Sequence, residues 1–375
     1  MNKTMIYADH AATTALSPAA YEAMLAWFRD QYGNPSTLYS LARDPRRAVA
    51  HSREIIAAAI HAEPEEIFFT SGGTEADNWA LKGTAFRHAR GEGIITSAIE
   101  HHAVLNSCAA LERMGYAVNR LPVDREGLVR ADALRSHLAD STFLVSVMLA
   151  NNEIGTIEHA AELAEIAHQA GALFHTDAVQ AVGHIPVDVK TLGIDMLSAS
   201  AHKFNGPKGI GFLYLRSGVQ LIPLIDGGGQ EHGLRGGTEN VAGIVGMAAA
   251  LQQHTEHMAQ EASYLNELSN RLVRNLKEKR LDFLTNGSSH RIPGSLSLSF
   301  KGADGEMLMH RLDLMGTAVA TGSACNSKDT VLSHVIQAIA VPQEYAHGTI
   351  RITLGMDNTP EQMDTLTNQI ARILS

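Results

Sequence analysis

The sequence predicts an α/β protein in which helices cover a mostly parallel sheet, together with a smaller α+β domain. Apolar runs of strand length alternate with longer amphipathic segments through most of the chain, which is the pattern of parallel strands joined by helices. After about residue 250, a long polar helical segment leads into shorter strands. The 375 residues, 45% of them apolar, suffice for two cores.

The strands and helices of the first domain follow one another in the order that such a sheet requires. The strand candidates are EIFFT, GIITS, FLVSVML, ALFHTD and DMLSAS. The helix candidates between them include EADNWALKGTAFRHAR and HAAELAEIAHQAG, and Gly171 closes the second as a C-cap. Because the turn-rich segment HKFNGPK joins DMLSAS to GIGFLYL, we expect GIGFLYL to be an antiparallel strand.

The second domain begins with a long connecting helix. The segment HTEHMAQEASYLNELSNRLVRNLKEK predicts this helix, and the strands SLSLSF and TIRITLG follow it. We therefore assign residues 14–255 to the large domain, and residues 1–13 and 256–375 to the small one. No repeat of fixed period and no low-complexity linker separates them, so we expect the two domains to pack closely.

Charge and composition exclude several classes of function. The chain has 30 lysine and arginine residues against 40 aspartate and glutamate residues, a net charge of −10, so it lacks the basic surface that nucleic-acid binding needs. Its two cysteines, Cys108 and Cys325, are too few for an all-thiolate zinc site or an iron–sulfur cluster within one chain. His101 and His102 lack the H-E-x-x-H pattern or cysteine pair of a metal site, so we expect no metal.

Export and membrane insertion are not indicated. The N-terminal sequence MNKTMIYADHAATT reaches Asp9 before any apolar stretch attains the length of a signal peptide. The longest nearly uninterrupted apolar run, residues 241–251, is shorter than the roughly 18 residues of a membrane span. We therefore expect a cytoplasmic protein with reduced thiols and no membrane partner.

The segment IFFTSGGTEADNW carries the first candidate site residues. In it a strand runs through Gly73 and Thr74 into a helix, whose first free N–H groups can bind an anion such as phosphate. A plain N-capped turn is the alternative. The chain contains no Walker A and no G-x-G-x-x-G pattern, so a nucleotide fingerprint is not supported.

Two further segments supply a carboxylate and an amine. In LFHTDAVQ a buried strand ends at Asp177, where open α/β sheets bind ligands, and Gln180 follows it. In SASAHKFNGPKG, Ser200, His202 and Lys203 lie at the end of the next strand. Taken singly, Asp177 is explained as a helix cap and Lys203 as a solvated side chain.

Together, these groups are the ones that pyridoxal 5'-phosphate requires of a protein. The helix start would anchor its phosphate, and Lys203 would supply the Schiff-base amine. Asp177 would keep the pyridine nitrogen protonated, so that the ring accepts electrons, and Gln180 could hydrogen-bond the ring hydroxyl. The sequence therefore predicts a pyridoxal-phosphate enzyme.

Seven sequence motifs connect the chain to a known family. From YADHAATT near the start to IRITLG near the end, the chain contains, in this order, TSGGTEADN, EHHAVL, NNEIGT, HTDAVQAVG, SAHKFNGPKGIG, GGGQEHGLRGGTEN and GSACNS. In this arrangement it resembles the cysteine desulfurases, which are fold-type I pyridoxal-phosphate enzymes related to class V aminotransferases. The short spacing between GSACNS and LSHV is similar to that of the housekeeping and nitrogen-fixation branch.

The resemblance implies a role for each matching position. Lys203 would carry the cofactor, Asp177 and Gln180 would bind its ring, and His101 would stack on the ring and help to move protons. The implied phosphate site comprises Gly73, Thr74, Ser200, His202 and, from the second subunit of a homodimer, Thr238.

Asn152 and Arg351 look like the pair that binds the substrate carboxylate, with Asn152 also beside the cofactor. In TIRITL, Arg351 shares one strand face with Thr349 and Thr353 and can meet a carboxylate with two hydrogen bonds. An exposed strand face or a structural ion pair is the alternative.

The two cysteines have different predicted roles. Cys108, in HAVLNSCAALERMG, follows Val104 by one helical turn and is expected to pack in the core. Cys325 lies in TGSACNSKDT, a run with turn character, and the nearby Lys328 would favour its thiolate. The residues alone leave an incidental loop thiol equally open, whereas the resemblance implies that Cys325 is the nucleophile.

The implied activity removes sulfur from L-cysteine, giving L-alanine and a persulfide on Cys325. An acceptor such as an iron–sulfur scaffold or a sulfur carrier would collect that sulfur. A class V aminotransferase or a selenocysteine lyase on the same scaffold is the nearest alternative, and a sulfur-trafficking protein without catalysis is the alternative from another class. Asn326, the segment QAIAVP and the ending QIARILS, without the longer tail of housekeeping desulfurases, depart from the family. We therefore expect a specialised acceptor or a different docking mode.

Overall fold

The computed structural model describes residues 5–321 and 332–375. Its strands are β1 (Ile6–Tyr7), β2 (Ile67–Thr70), β3 (Gly93–Ser97), β4 (Ala117–Leu121), β5 (Thr142–Ser146), β6 (Leu173–Asp177), β7 (Met196–Ser200), β8 (Gly211–Leu215), β9 (Phe283–Thr285), β10 (Ser295–Phe300), β11 (Thr317–Ala318) and β12 (Thr349–Thr353). Its helices are α1 (Pro18–Arg29), α2 (Arg43–Ala59), α3 (Gly73–Ala85), α4 (His102–Arg113), α5 (Ala131–His137), α6 (Ala160–Gln169), α7 (Val241–Glu278), α8 (Gly305–Leu314), α9 (His334–Ala338), α10 (Gln343–Ala346) and α11 (Pro360–Leu374).

A sheet of seven strands forms the centre of the part of the chain that the structure describes. Its strand order is β2-β8-β7-β6-β5-β3-β4. The neighbours from β7 to β4 pair in parallel, whereas β8 runs antiparallel to both β7 and β2. The predicted mostly parallel sheet is therefore confirmed, and so is the antiparallel strand in GIGFLYL.

Burial explains which strands can be predicted from the sequence. Every residue of β2, β3, β5, β7 and β8 is buried, so their sequences read as continuous apolar runs. Sequence reasoning missed β4, in which Ala117, Asn119 and Arg120 are exposed because the strand lies at the edge of the sheet. An edge strand with polar residues carries no apolar run to detect.

The segment that follows β5 continues alongside β6. The predicted strand FLVSVML is longer than β5, which ends at Ser146. Beyond it, the N–H groups of Val147 and Leu149 still donate to the carbonyl oxygens of His175 and Asp177, at 3.1 and 2.9 Å. These hydrogen bonds hold the chain beside the end of β6, where Asp177 lies.

Helix α7 begins at Val241, upstream of the polar segment that predicts it. Asn240 caps it by accepting the N–H of Gly243 at 3.0 Å. Its first half, which includes Ile244, packs in the core of the large sheet, and its second half packs in a separate apolar cluster. The apolar run at residues 241–251 is thus a buried helix segment. In the described ranges, no helix combines the length and the hydropathy that a membrane crossing requires.

The separate apolar cluster forms a second core. It joins the second half of α7 to β10, β12, α8 and α11. The strands β12, β10 and β9 form an antiparallel sheet in that order, and β1 pairs in parallel with β11. The two cores support the domain boundary predicted near residue 255, which stays a prediction.

The N-terminal segment connects the second core to the main sheet. Asp9 forms a parallel bridge with Thr353 of β12. A few residues later, the N–H of Thr14 donates to the carbonyl oxygen of His202 at 2.9 Å. Residues 9–14 therefore lie between the small-domain sheet and the end of β7.

A buried ion pair ties α2 to the segment that follows β8. The two Nη atoms of Arg53 donate to the carboxylate oxygens of Glu231 at 2.9 and 2.7 Å, and the N–H of Phe69 donates to the same carboxylate at 2.9 Å. The Glu231 side chain is only 4% exposed, and its residue has a left-handed φ of 46°, which a non-glycine residue adopts at a cost. The arginine therefore neutralises a charge that the fold has buried.

We expect Arg53→Ala to lower the free energy of unfolding by about 3–5 kcal/mol, because the Glu231 carboxylate would stay buried without its partner. Urea denaturation measures this loss. The matched control is Arg120→Ala, which removes the exposed pair with Glu112 and should cost less than about 1 kcal/mol. Equal losses in the two variants would contradict the importance of the buried pair.

Candidate active site

A cavity of about 650 Å³ lies at the carboxyl ends of β6 and β7, next to the start of α3. This is the edge at which open α/β sheets bind ligands. Its lining includes most of the predicted site residues: Gly73, Thr74, His101, Asn152, Asp177, Gln180, Ser200, His202, Lys203 and Arg351. Thr238 is exposed and does not line this cavity. Cys325 lies outside the described residues.

The start of α3 forms one part of the cavity lining. Its N-cap Gly72, with φ of +147°, provides no side-chain cap, so the first N–H groups of the helix lack intrahelical partners. A Cβ atom on Gly73 would lie 2.5 Å from Cγ2 of Val179, so the close approach requires glycine. The Ser200 hydroxyl lies beside this turn, 3.4 Å from where a Cβ of Gly72 would be. Free N–H groups beside a hydroxyl suit an anion such as phosphate.

Asp177 is a buried carboxyl group at the end of β6. It is 4% exposed, and its Oδ1 accepts the N–H of Val179 at 2.9 Å. Burial raises the pKa of Asp177, whereas the nearby His101 and Lys203 act in the opposite direction. A cationic ligand group beside this carboxyl would favour its ionised form.

Asp77 of α3, which sequence reasoning missed, lies close to Asp177. One oxygen of each carboxyl group and one ring nitrogen of His101 lie within 4.8 Å of one another. Asp77 is 1% exposed, and its Oδ1 has no hydrogen-bond partner among the described residues. Burial raises the pKa of Asp77, and the charge of Asp177 raises it further. Asp77 could have been noticed in the sequence as an acidic residue among the apolar residues of α3, such as Ala76 and Trp79, which are buried.

Lys203 follows β7 and points its amine at the N-terminal segment. Its Nζ donates to the carbonyl oxygens of Ala11 and Ala12 at 2.6 and 2.9 Å. Burial, and secondarily the charge of Arg351, lower the pKa of Lys203 to about 8, although two nearby carboxylates oppose the shift. Because the neutral amine is the form that attacks a carbonyl carbon, Lys203 is suited to Schiff-base formation near neutral pH.

Residues 11–13 line a wall of the site that sequence reasoning did not assign. The carbonyl oxygen of Ala11 accepts a hydrogen bond from Nε2 of Gln180 at 3.0 Å as well as one from the Lys203 amine. Oγ1 of Thr13 lies 3.0 Å from Nδ1 of His202. The signal was the run of small residues in AATT, whose backbone can approach other groups closely.

Burial lowers the pKa of two histidines of the cavity. The N–H of Ala103 donates to Nδ1 of His101 at 3.1 Å, so Nε2 is the nitrogen that can carry the proton. Burial lowers the pKa of His101, against the opposing effect of Asp177. The pKa of His202 falls to about 4, because of burial and then because of the neighbouring lysine charges.

Arg351 and Asn152, the predicted carboxylate pair, are in contact. Nη1 of Arg351 donates to the backbone carbonyl of Asn152 at 3.0 Å, and Nη2 donates to Oδ1 of Asp9 at 2.6 Å. Arg351 is 8% exposed, and its Nε has no partner among the described residues. The alternative of a structural ion pair is thus realised, yet the guanidinium keeps an unused donor for a ligand carboxylate.

The cavity has the charge pattern of a ligand with two anionic groups and one cationic group. The start of α3 suits a phosphate, Arg351 suits a carboxylate, and Asp177 suits a protonated ring nitrogen. The unpartnered oxygen of Asp77 indicates that this corner lacks a positive or hydrogen-bonding group. Pyridoxal phosphate together with an amino acid carries all of these groups, so the residues present fit that cofactor.

Comparisons with known proteins give relatives along the whole chain. The family model described as Aminotransferase class-V matches residues 6–366. The chain is 49% identical over 374 residues to a cysteine desulfurase IscS of Dictyoglomus turgidum, covering 99% of this chain and 95% of that protein. A solved NifS-like protein matches with a TM-score of 0.93 at 38% identity over 99% of each chain. A structure described as SspA in complex with cysteine has a TM-score of 0.84 at 35% identity, covering 93% of this chain and 99% of that one.

The lowered pKa of Lys203 predicts an early titration of its amine. Any bound aldehyde is first removed from the protein. We then expect reductive methylation of Lys203 to reach half its maximal rate at about pH 8, because half of the amine is neutral at that pH. Peptide mass spectrometry measures the reaction. Exposed Lys190 is the internal control, since a hydrogen bond to Glu63 raises its pKa above 10.5. A common midpoint for the two lysines would contradict the assignment.

Proposed function

The chain belongs to the class-V aminotransferase family, and on this basis we propose that it desulfurates L-cysteine with pyridoxal 5'-phosphate bound in the cavity. Its activity is that of a cysteine desulfurase, as in relatives that share nearly its whole length. The observation that carries the proposal for the site is that Lys203, Asp177 and Arg351 line one cavity at the carboxyl edge of the sheet.

The cofactor would lie between the start of α3 and the end of β6. Its phosphate would be held by the first N–H groups of α3 with Thr74, Ser200 and His202, and its ring by Asp177, Gln180 and His101. Bound pyridoxal phosphate supplies an electron sink that stabilises the negative charge formed at Cα of the substrate. Asp177, once ionised, would hold the proton of the ring nitrogen in place.

The side chains around the cofactor would bind the substrate and move its protons. Arg351 would hold the substrate carboxylate through its unused donors, and Asn152 would lie beside it. Lys203 Nζ, with a pKa of about 8, would accept the Cα proton as a base. Nε2 of His101 would carry a second proton, because its Nδ1 is engaged by the backbone of α4.

Sulfur would leave the substrate by attack of the Cys325 thiolate. A bond forms between the sulfur of Cys325 and the sulfur of the substrate, while the bond from that sulfur to the substrate Cβ breaks. The carbon skeleton takes up a proton and leaves as L-alanine, and Cys325 keeps the extra sulfur as a persulfide. A thiol of an acceptor protein, such as an iron–sulfur scaffold or a sulfur carrier, would then receive that sulfur by exchange.

We also propose that the active protein is a homodimer. Phe28, Tyr32 and Leu38 are 67%, 71% and 97% exposed, an unusual apolar surface for a monomer. The apolar stretch, residues 28–38, adjoins the segment that contains Thr238, because the hydroxyl of Ser36 donates to the Glu239 carboxylate at 3.3 Å. A second copy covering the apolar stretch would therefore bring its own Thr238 segment to the interface. This supports a role for Thr238 at the phosphate of the opposite subunit.

The two cysteines give a direct test of the sulfur transfer. Cys325→Ser should lower the rates of alanine formation and sulfide release by several orders of magnitude, because the nucleophile is lost. The variant should keep the visible absorbance of the bound cofactor, which Lys203→Ala should lose. Cys108→Ala is the control, since Cys108 is buried and burial raises its thiol pKa to about 12. Full desulfurase activity of Cys325→Ser would refute the persulfide step.

The dimer proposal is tested with charges on the apolar stretch. Phe28→Glu combined with Leu38→Glu should shift the mass measured by sedimentation towards that of one chain. It should also weaken pyridoxal-phosphate binding by roughly tenfold, as expected for the loss of one hydrogen bond to a charged phosphate. Leu314→Glu, at an 87% exposed site on α8, should change neither quantity. A monomeric unmodified protein with full cofactor affinity would count against the proposal.

A further inference from the structure

A row of buried polar side chains lies beside Asp177 and is used by no step of the proposed reaction. Nδ1 of His175 lies 2.8 Å from the hydroxyl of Ser146, and its Nε2 lies 3.1 Å from the hydroxyl of Ser198. The same Nε2 lies 3.7 Å from Oδ1 of Asp77. His175 is 0% exposed and Asp77 is 1% exposed. Asp77 therefore ends this row next to the Asp177 carboxyl group.

No positive charge faces Asp77 from this row. Burial lowers the pKa of His175 to about 3, so its ring is neutral at neutral pH. Glu100, the other titratable group on this side, is also buried, and its pKa is raised to about 8. Two ionised carboxylates within 4.8 Å of each other, both nearly fully buried and with no cation on the side of Asp77 that faces His175, would repel strongly. The pair of Asp77 and Asp177 must therefore hold a proton.

The surroundings decide which carboxyl group of the pair holds that proton. Asp177 accepts the backbone N–H of Val179, and the nearby His101 and Lys203 favour its ionised form. Asp77 has a hydrogen bond from the Ser198 hydroxyl, and its Oδ1 is without a hydrogen-bond partner in the described part of the chain, since Nε2 of His175 is 3.7 Å away. Negative charge is thus stabilised at Asp177 and not at Asp77.

We propose that Asp77 is a positioning residue that stands as a neutral carboxylic acid behind Asp177 and confines the single negative charge of the pair to Asp177. This inference rests on the proposed function, in which Asp177 faces the pyridine nitrogen of the cofactor. The neutral acid fills the space behind Asp177 with a polar group that does not compete for the ring proton. An amide of the same shape can replace it, whereas an ionised group or a void cannot.

Infrared spectroscopy tests the protonation state in the absence of cofactor. At neutral pH, the spectrum of the unmodified protein minus that of Asp77→Asn should contain the carbonyl stretch of a protonated carboxylic acid. Glu158→Gln is the positive control: Glu158 is another buried acid, away from the cavity, and because its pKa is raised to about 8, its difference spectrum should also contain an acid band. Carboxylate bands in place of the acid band in the Asp77→Asn difference would overturn the proposal.

Cofactor titration tests the consequence for Asp177. Asp77→Asn should bind pyridoxal phosphate as tightly as the unmodified protein and keep the pH at which the visible absorbance changes. Asp77→Ala should weaken binding by about tenfold, as expected when a polar neighbour of a buried charge is removed, and should move that pH. Glu158→Gln should alter neither quantity. A loss of affinity in Asp77→Asn equal to that in Asp77→Ala would also overturn the proposal.

The two experiments separate this inference from the proposed function. If the unmodified protein binds no pyridoxal phosphate, the proposed function fails, while the infrared difference still decides the state of Asp77. If the cofactor binds and Asp77 proves ionised, only the inference fails.

Discussion

A buried carboxyl group at the end of β6 determines much of what the cavity can bind. Asp177 is placed there by the parallel pairing of β5, β6 and β7, which brings the carboxyl ends of these strands to one edge. Its burial makes an unpartnered negative charge costly, so a ligand that brings a positive group to this point gains more than it would in water. The start of α3 and the amine of Lys203 lie around the same point, so one ligand can reach all three.

The cavity depends on the core of the large sheet and on the second core. Lys203 lies in the short helical turn that follows β7, whereas Arg351 belongs to β12 beside the second core. Residues 9–14 join them: Asp9 accepts a hydrogen bond from Arg351, and the carbonyl oxygens of Ala11 and Ala12 accept those of Lys203. A change in the relative placement of the two cores would therefore alter the distance between the amine and the guanidinium. Substrate geometry and the packing of the cores are coupled through this segment.

The sequence predicted the parts of this site whose residues stand at strand ends with a recognisable pattern. Asp177, Lys203 and the glycine turn before α3 follow buried apolar strands, so their places along the chain were visible. The roles of Asp9 and Asp77 could not be predicted. Asp9 contacts Arg351, which is 342 positions away in the sequence, and Asp77 lies on the buried face of α3. The edge strand β4 was missed because its side chains are exposed. Thr238 and Cys325 rest on family resemblance, since no contact of theirs in the cavity is described.

The pKa shifts of the groups in the cavity all favour the uncharged forms, and this affects which ligands the cavity can bind. Burial raises the pKa of Asp177 and Asp77 and lowers those of Lys203, His101 and His202, so each group is driven towards its neutral form. A ligand with matching charges opposes these shifts at the groups that it contacts, and its binding is therefore linked to proton transfer. A ligand that lacks the phosphate, the ring cation or the carboxylate leaves one of the groups that would bind it without a partner. The cavity thus favours a ligand set with all three charges in fixed positions, and a cofactor phosphate together with an α-amino acid provides that set.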